Sequence, residues 1–462
     1  MHNSFQNCVN LRTVSNLYCR PYLWNYEAGL SSTFSNCSAL QYLNDVMIYN
    51  PTMSMTFYNC TNLVGFNNCN FIPGSVGLYA PSAFTNCYNL TNLPDSLLSN
   101  GLFLNYNIHR IFANCYNLSF PNEIKLTISQ SSFHTYTSNN MFCNCKQLRN
   151  LTLKQNSAQG GTFETFSWFE GCSNLETLTL TNCTNIKFSY AFDNCNKLQY
   201  VYLNNSILTG SGIFENCGAV TNVQNMIKSS QENYTVTFTS GDYLFANCEN
   251  LVSTGNITVS SLYCDKMFYN CSNLKDISGL NITTINRANS MFYNCSNLQE
   301  IHCIQGIGNS YVLMNSMVYG CSNLVSLQAL EMRTYNAGTT AGACIFGPFS
   351  TIINNPQGAC KNLVNFGGFL NYGASFANVK TTNNSEAALD IVGAPRLSYE
   401  SILNVTTNLA NLYNVYKVAN GGTLYSQLIR MSNHQYEKLS ATDITNIQNL
   451  GWNISVHNYS IV

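Results

Sequence analysis

Cysteine carries the widest chemistry of any residue type in this chain, and it is placed with unusual regularity. Of the 21 cysteines, fourteen sit at one position of a recurring motif: Cys8, Cys37, Cys60, Cys87, Cys115, Cys145, Cys172, Cys195, Cys217, Cys248, Cys271, Cys295, Cys321 and Cys360. Thiols can pair as disulfides, hold a soft metal, attack as thiolates or pack as small apolar groups. A disulfide framework belongs to short secreted chains whose core is too small to hold the fold. This chain has 462 residues and an odd number of cysteines. Rungs stacked about 4.8 Å apart would bring equivalent cysteines within disulfide reach, but their side chains would point in parallel. Zinc needs cysteine pairs at close spacing with further ligands. The nearest approach is Cys143-Asn144-Cys145, and the chain has only six histidines. A nucleophile needs a neighbouring base, and none recurs with the motif. Packing is therefore the expected role of the fourteen. Cys19, Cys69, Cys143, Cys183, Cys264, Cys303 and Cys344 lie outside the pattern.

Other chemistry is sparse. The phosphate-binding G-x-x-x-x-G-K-[ST], the H-E-x-x-H metal motif and the G-x-S-x-G elbow are all missing. His109-Arg110 and His302 stand alone, and Asp276 and Glu300 cannot be placed opposite each other from sequence. No catalytic residue, metal or cofactor is expected.

The elements that position the cysteines come from the repeat itself. The octapeptide Met-Phe-Tyr-Asn-Cys-Ser-Asn-Leu occurs at 267–274 and again at 291–298. Across the fourteen copies Phe stands three residues before the cysteine in twelve (Val318 and Gln357 are the exceptions), and Leu three after it in thirteen, with Val220 the exception. Asn directly precedes the cysteine in eleven. The copies are 22 to 31 residues apart until a last step of 39. Behind each Leu runs a short alternation of apolar residues, as in 175–180 and 198–203, which reads as a strand. Phe, Cys and Leu at steps of three predict a tight 3₁₀-like turn, where side chains at i and i+3 eclipse. One strand plus one turn buries no apolar face alone, so the units must stack. Asn at each corner tolerates turn conformations and can bond backbone groups that a bend leaves unpaired.

The pattern F-x-N/G-C-x-N-L followed by L-x-x-I/L resembles the BspA-like, Treponema-type leucine-rich repeats over roughly residues 1–378. The resemblance implies a repeat solenoid of about fourteen units, used for binding. After 376 the pattern stops. Ser398 is placed as a helix N-cap ahead of Ile402, Val405, Leu409 and Leu412 at helical spacing. Residues 423–431 read as a strand, 440–450 as a helix capped by Ser440, and Trp452–Val456 as a strand. This tail is similar to modules found behind such repeats in proteins of gut bacteria, their phages and prophages, which implies a small α/β cap. The expected organisation is a solenoid over 1–378, a linker over 379–394 and a cap over 395–462. The repeat that starts at Ser4 has nothing before it, so either a cap is missing there or another chain covers it.

Charged residues make up 9% of the chain, against about 25% in an average soluble protein. Hydrophobic content is nevertheless 45%, so a large core can form. Net charge is −1 with no basic run, which excludes the electrostatic footprint of a nucleic-acid binder. The first residues lack the basic and apolar regions of a secretory signal, and no run reaches the length of a membrane span. The expectation is a chain made in the cytoplasm or cut from something longer. Its 29 tyrosines suit a recognition surface, although half that weight belongs to filling rungs. The functional expectation is a non-enzymatic phage virion component, tail-fibre-like or otherwise on the particle surface. It would engage a host-surface glycan or protein, or other virion proteins, and a homo-oligomer is compatible with this. The alternative is a bacterial BspA-like cell-surface adhesin.

Overall fold

The computed structural model describes residues 2–19, 28–49, 51–72, 77–94, 96–104, 108–128, 136–156, 162–230, 235–304, 313–331, 345–347, 359–370, 389–414 and 427–458. The chain folds as a parallel leucine-rich-repeat solenoid with a small cap behind it. Its rungs fall into two compact units, Met1–Val220 with Asn225–Tyr234, and Thr221–Gln224 with Thr235–Val462.

In the first unit a six-stranded parallel sheet runs through Leu102–Leu104, Glu123–Ile128, Asn150–Gln155, Thr177–Thr181, Tyr200–Asn204 and Ile227–Ser229. Register is in phase: Leu151 pairs with Leu178 and Leu178 with Val201, while Leu153, Leu180 and Leu203 align one pleat further on. All six are buried, and the alternate Tyr200 and Tyr202 face outward. The period-2 pattern thus places one face of each rung in the core and the other in solvent. A separate parallel sheet joins Thr13–Ser15, Tyr42–Asn44 and Gly65–Asn67. In the two rungs after Gly65–Asn67, ahead of Leu102–Leu104 and Glu123–Ile128, Pro94 and Pro121 stand where that strand column would continue. Proline has no N–H to give a ladder, so the pairing stops there.

The second unit repeats the design with shorter strands, among them Val236–Phe238, Ile257–Ser260 and Leu280–Thr284 in one parallel sheet, and Glu300–Ile301, Ser326–Leu327 and Asn365–Phe366 in another. Its last repeat corrects the sequence alignment. Val318 N–H donates to Ile345 O at 3.0 Å, just as Phe292 N–H donates to Met317 O at 2.8 Å. Phe346, fully buried, therefore fills the aromatic position assigned from sequence to Gln357. Fourteen residues separate Phe346 from Cys360 where three is usual, an excess of eleven. Without them the 39-residue step shrinks to 28, inside the range of the others.

The cap is a three-stranded parallel sheet of Leu389–Asp390, Gln427–Ser432 and Trp452–His457, packed with helices Tyr399–Thr407, Asn433–Tyr436 and Ala441–Asn449. Ser398 and Ser440 are N-caps, the latter in a reciprocal capping box with Asp443. Leu409 and Leu412 are buried, but they lie past the end of the first helix at Thr407. The expected linker, 379–394, is too long at its end: Leu389, Ile391, Val392 and Ala394 are buried, and Asp390 pairs with Arg430 at 3.2 Å inside the cap. Residues 379–388 lie outside the described residues. The first helix also finishes the repeat stack. Phe366 N–H donates to Ser401 Oγ and Ser401 Oγ donates to Val364 O, both at 2.9 Å, so polar groups that a further rung would pair are satisfied.

Candidate functional site

Each turn divides its backbone donors between two partners. In the rung at 30–40, the N–H groups of Ser32, Phe34 and Asn36 donate to Ser54 O, Thr56 O and Tyr58 O of the next rung. Those of Thr33, Ser35 and Cys37 donate back to Leu30 O, Ser32 O and Phe34 O, and Leu40 N–H to Cys37 O. These i to i−3 bonds follow the step of three in the motif. Two left-handed residues per turn interrupt any continuous helix. One is the residue before the cysteine: all eleven asparagines there have φ between 56° and 63°, and Gly171 and Gly320 have 69° and 80°. The other lies five before the cysteine, and includes Met55 at 52° and Tyr190 at 52°. Asn and Gly precede the cysteine because L-residues with larger side chains resist that conformation.

Three side-chain ladders run along the turns. In the first unit Phe rings stack from Phe5 through Phe34, Phe57 and Phe84 to Phe112, with centroids 5.4 to 5.7 Å apart. In the second, Phe245, Phe268 and Phe292 stack at 5.6 and 5.5 Å. Asn36, Asn59, Asn86, Asn114 and Asn144 each donate Nδ2–H to Oδ1 of the preceding asparagine, at 2.6 to 2.9 Å. Asn270 and Asn294 continue the same bond in the second unit.

The cysteines form the third ladder, and their thiols are donors. Cys60 Sγ–H donates to Phe34 O at 3.0 Å, so that carbonyl accepts from Cys37 N–H in its own rung and from a thiol in the next. Cys37, Cys87, Cys115, Cys145, Cys172, Cys195 and Cys217 repeat the bond in the first unit, and Cys271, Cys295 and Cys321 in the second. Cys360 Sγ donates to Val318 O at 2.9 Å, which keeps the ladder in register across the eleven extra residues. Cys248 is buried in its rung, and Cys8 is exposed. Burial pushes the thiols up, Cys360 to about 12 and Cys303 to about 12, which disfavours the reactive thiolate. Cys143, beside the ladder cysteine Cys145, rises to about 11, first through burial and then through Glu170. The described cysteines are free thiols, and no group of three or more potential metal ligands occurs among the described residues. Cys344 lies outside the described residues.

The remaining titratable candidates are brought closer than sequence could place them. Asp276, Glu300 and His302 line one shallow groove of ≈ 310 Å³. Asp276 is committed to the N–H and hydroxyl of Ser278, bonds that hold its carboxyl below the usual range. His302 sits 3.3 Å from Ser326 Oγ and 4.0 Å from Glu300. His109 Nδ1 accepts Asn139 N–H, and burial, followed by Arg110, holds its pKa down.

Beyond the ladders, the outer faces are neutral and aromatic. In the second unit Tyr269 and Tyr293 stack at 4.8 Å, and Tyr293 stacks in turn on the buried Tyr319, with Lys266 Nζ 5.4 Å from the Tyr269 ring and 5.1 Å from Tyr243. In the first, Tyr88 stacks on Tyr116 at 5.2 Å, with Lys146 above Tyr116. A larger groove of ≈ 580 Å³ opens in the first unit where the sheet breaks off at Gly65–Asn67. Sequence reasoning missed it, although Pro94 and Pro121 at strand positions were its visible signal.

Rungs of one strand and one tight turn, tied by side-chain ladders and open to variation outside, define a leucine-rich-repeat solenoid, a fold typical of binding proteins. Residues 109–252 and 235–335 match the BspA type leucine rich repeat region in six copies, and the matched repeats are of that type. Among solved structures the chain is similar to a leucine-rich repeat protein from Bacteroides ovatus, with 16% identity over 97% of this chain and 93% of that one, and a TM-score of 0.40. A leucine rich cell surface protein from Faecalibacterium prausnitzii matches with 17% identity over 65% of this chain and 88% of that one, TM-score 0.30. A Leptospira interrogans leucine-rich repeat protein matches with 14% identity over 91% of each chain, TM-score 0.24. The sequence matches no curated protein. Among the described residues no helix is long and apolar enough to cross a membrane.

Proposed function

We propose that the chain is a non-enzymatic recognition protein of the BspA type, carried on an exterior surface and binding a host-surface glycan or protein. The carrying observation is the division of labour within the rung. Phe, Cys and the corner Asn are consumed by the ladders, while the outward positions vary freely and are rich in Asn, Ser, Thr and Tyr. Such side chains offer donors and acceptors without fixed charge, and Tyr adds contact area at low entropic cost. Asp276 is bonded away and burial holds the ladder thiols neutral.

The family match favours a bacterial adhesin. A second reading, a tail-fibre-like or other surface component of a phage particle, rests on the resemblance, read from the sequence of residues 395–462, to modules of gut phages and prophages. Mass spectrometry of purified particles against a surface-shaved cell fraction separates the two: recovery in particles supports the virion reading, and recovery only from uninfected cell walls sinks it. Binding of the purified chain to intact host cells tests recognition itself, and no saturable binding to any such surface would overturn the proposal.

A further inference from the structure

We infer that the groove at the sheet break of the first unit is a binding site for a neutral, hydroxyl-rich saccharide. This rests on the recognition reading above and names a ligand class and a place for it. At ≈ 580 Å³ the groove falls within the ~300–1,000 Å³ of ordinary small-ligand sites. It exists because the strand column ends: Gly65–Asn67 has no strand partner on its far side among the described residues.

Polar groups from successive rungs converge there. Asp45, Asn68, Asn70, Asn92 and Ser96 line it, over an apolar floor that includes Phe66. Asn68 Nδ2 donates to Asp45 Oδ1 at 2.6 Å, which orients the carboxylate and leaves it further lone pairs. Ser96 Oγ accepts Phe71 N–H at 2.9 Å, a side chain standing in for the missing strand. Asn70 Oδ1 is buried and accepts no hydrogen bond. A buried acceptor left unmade costs about 1–3 kcal/mol, so a donor from a ligand would be strongly favoured there.

The lining selects the ligand. Among the described residues it holds one carboxylate and no cation, which disfavours anionic sugars, sulfates and phosphates. Amides and hydroxyls both give and accept, matching sugar hydroxyls, and the apolar floor suits a C–H face. An added peptide strand is disfavoured by Asn92. Its side chain lies so close to Gly65 that a Cβ there would collide with Asn92 Oδ1, so it blocks the strand edge that a peptide would pair with.

The test uses the full chain on an array of immobilised neutral, sialylated and sulfated oligosaccharides and of peptides. Binding to neutral oligosaccharides is expected, weakened at least tenfold by Asp45→Ala and by Asn70→Leu. Asn297→Ala in the second unit, which removes an exposed amide of the same kind, should leave it unchanged. Asn70→Leu also removes the orphaned acceptor, so its melting temperature should hold or rise, which separates lost binding from lost folding. No neutral-sugar binding, a preference for acidic glycans or peptides, or indifference to both groove substitutions would overturn the assignment. Host-cell binding run in parallel keeps the two proposals apart: binding that survives both substitutions leaves recognition standing and removes the groove, whereas no cell binding by the unaltered chain removes recognition.

Discussion

The asparagine before each repeat cysteine does two things at once: it takes a left-handed backbone and passes a hydrogen bond along the ladder. Asn59 has φ 57°, donates to Asn36 Oδ1 and accepts from Asn86 Nδ2. The two contributions separate by substitution. Asn59→Gly keeps the backbone conformation and loses only the amide bonds, whereas Asn59→Ala adds a left-handed penalty of about 1–2 kcal/mol. Ala is therefore expected to lower stability in urea melts more than Gly, and equal losses would mean that the conformation carries no cost. Met55 is the reverse case, a bulky residue at φ 52° and well exposed. Met55→Asn should stabilise by roughly 0.5–1 kcal/mol, seen as a higher melting temperature. The sequence showed Asn as a corner residue because the pattern repeats. It did not show the second left-handed position, where residue types as different as Ser, Lys and Tyr leave no signature.

At the scale of the element, the rung is complete only when the next one is present, and the end of the stack is where that dependence is exposed. Ser401 stands in for the missing rung by holding Phe366 N–H and Val364 O together. Ser401→Ala leaves Phe366 N–H buried and unmatched, while Val364 O keeps the N–H of Ser398, and should cost about 1–3 kcal/mol. Hydrogen exchange should show the loss first at Phe366, and a uniform loss over the unit would contradict a local closing role. Strands and turns were legible because fourteen copies turn composition into periodicity. The thiol bonds were not, since nothing in residue type tells a buried S–H aimed at a carbonyl from a buried methyl. Phe346 escaped because the usual spacing of three residues fails in this rung, where fourteen part it from Cys360. The groove escaped because its side chains meet only once rung register is known.

For the molecule as a whole, the buried thiols make stability a function of alkaline pH. In the unfolded chain they ionise near the ordinary value of 9.0, while in the folded chain burial holds them neutral, Cys303 and Cys360 to about 12 and others, such as Cys87 and Cys271, higher. Above pH 9 the unfolded state therefore binds fewer protons than the folded one, and stability falls as pH rises. Below 9 the contribution is fully present. Each such thiol tilts stability by about 1.4 kcal/mol per pH unit, so a ladder of them should exhaust a typical margin of about 5–15 kcal/mol within one or two units. Circular dichroism across pH 8 to about 11 checks this, and a flat profile would refute it. A thiol titration in denaturant should approach 21 per chain, with Cys8 reacting first among the described cysteines in the native state. The last repeat has a broader consequence. Phe346 and Cys360 reach their places although eleven additional residues part them, so the stack recognises which side chains arrive and is indifferent to the route between them. A scaffold with that property can acquire new surface by insertion inside a unit as well as between units, and foreign segments spliced between Gly347 and Ala359 should be carried without loss of the architecture that displays them.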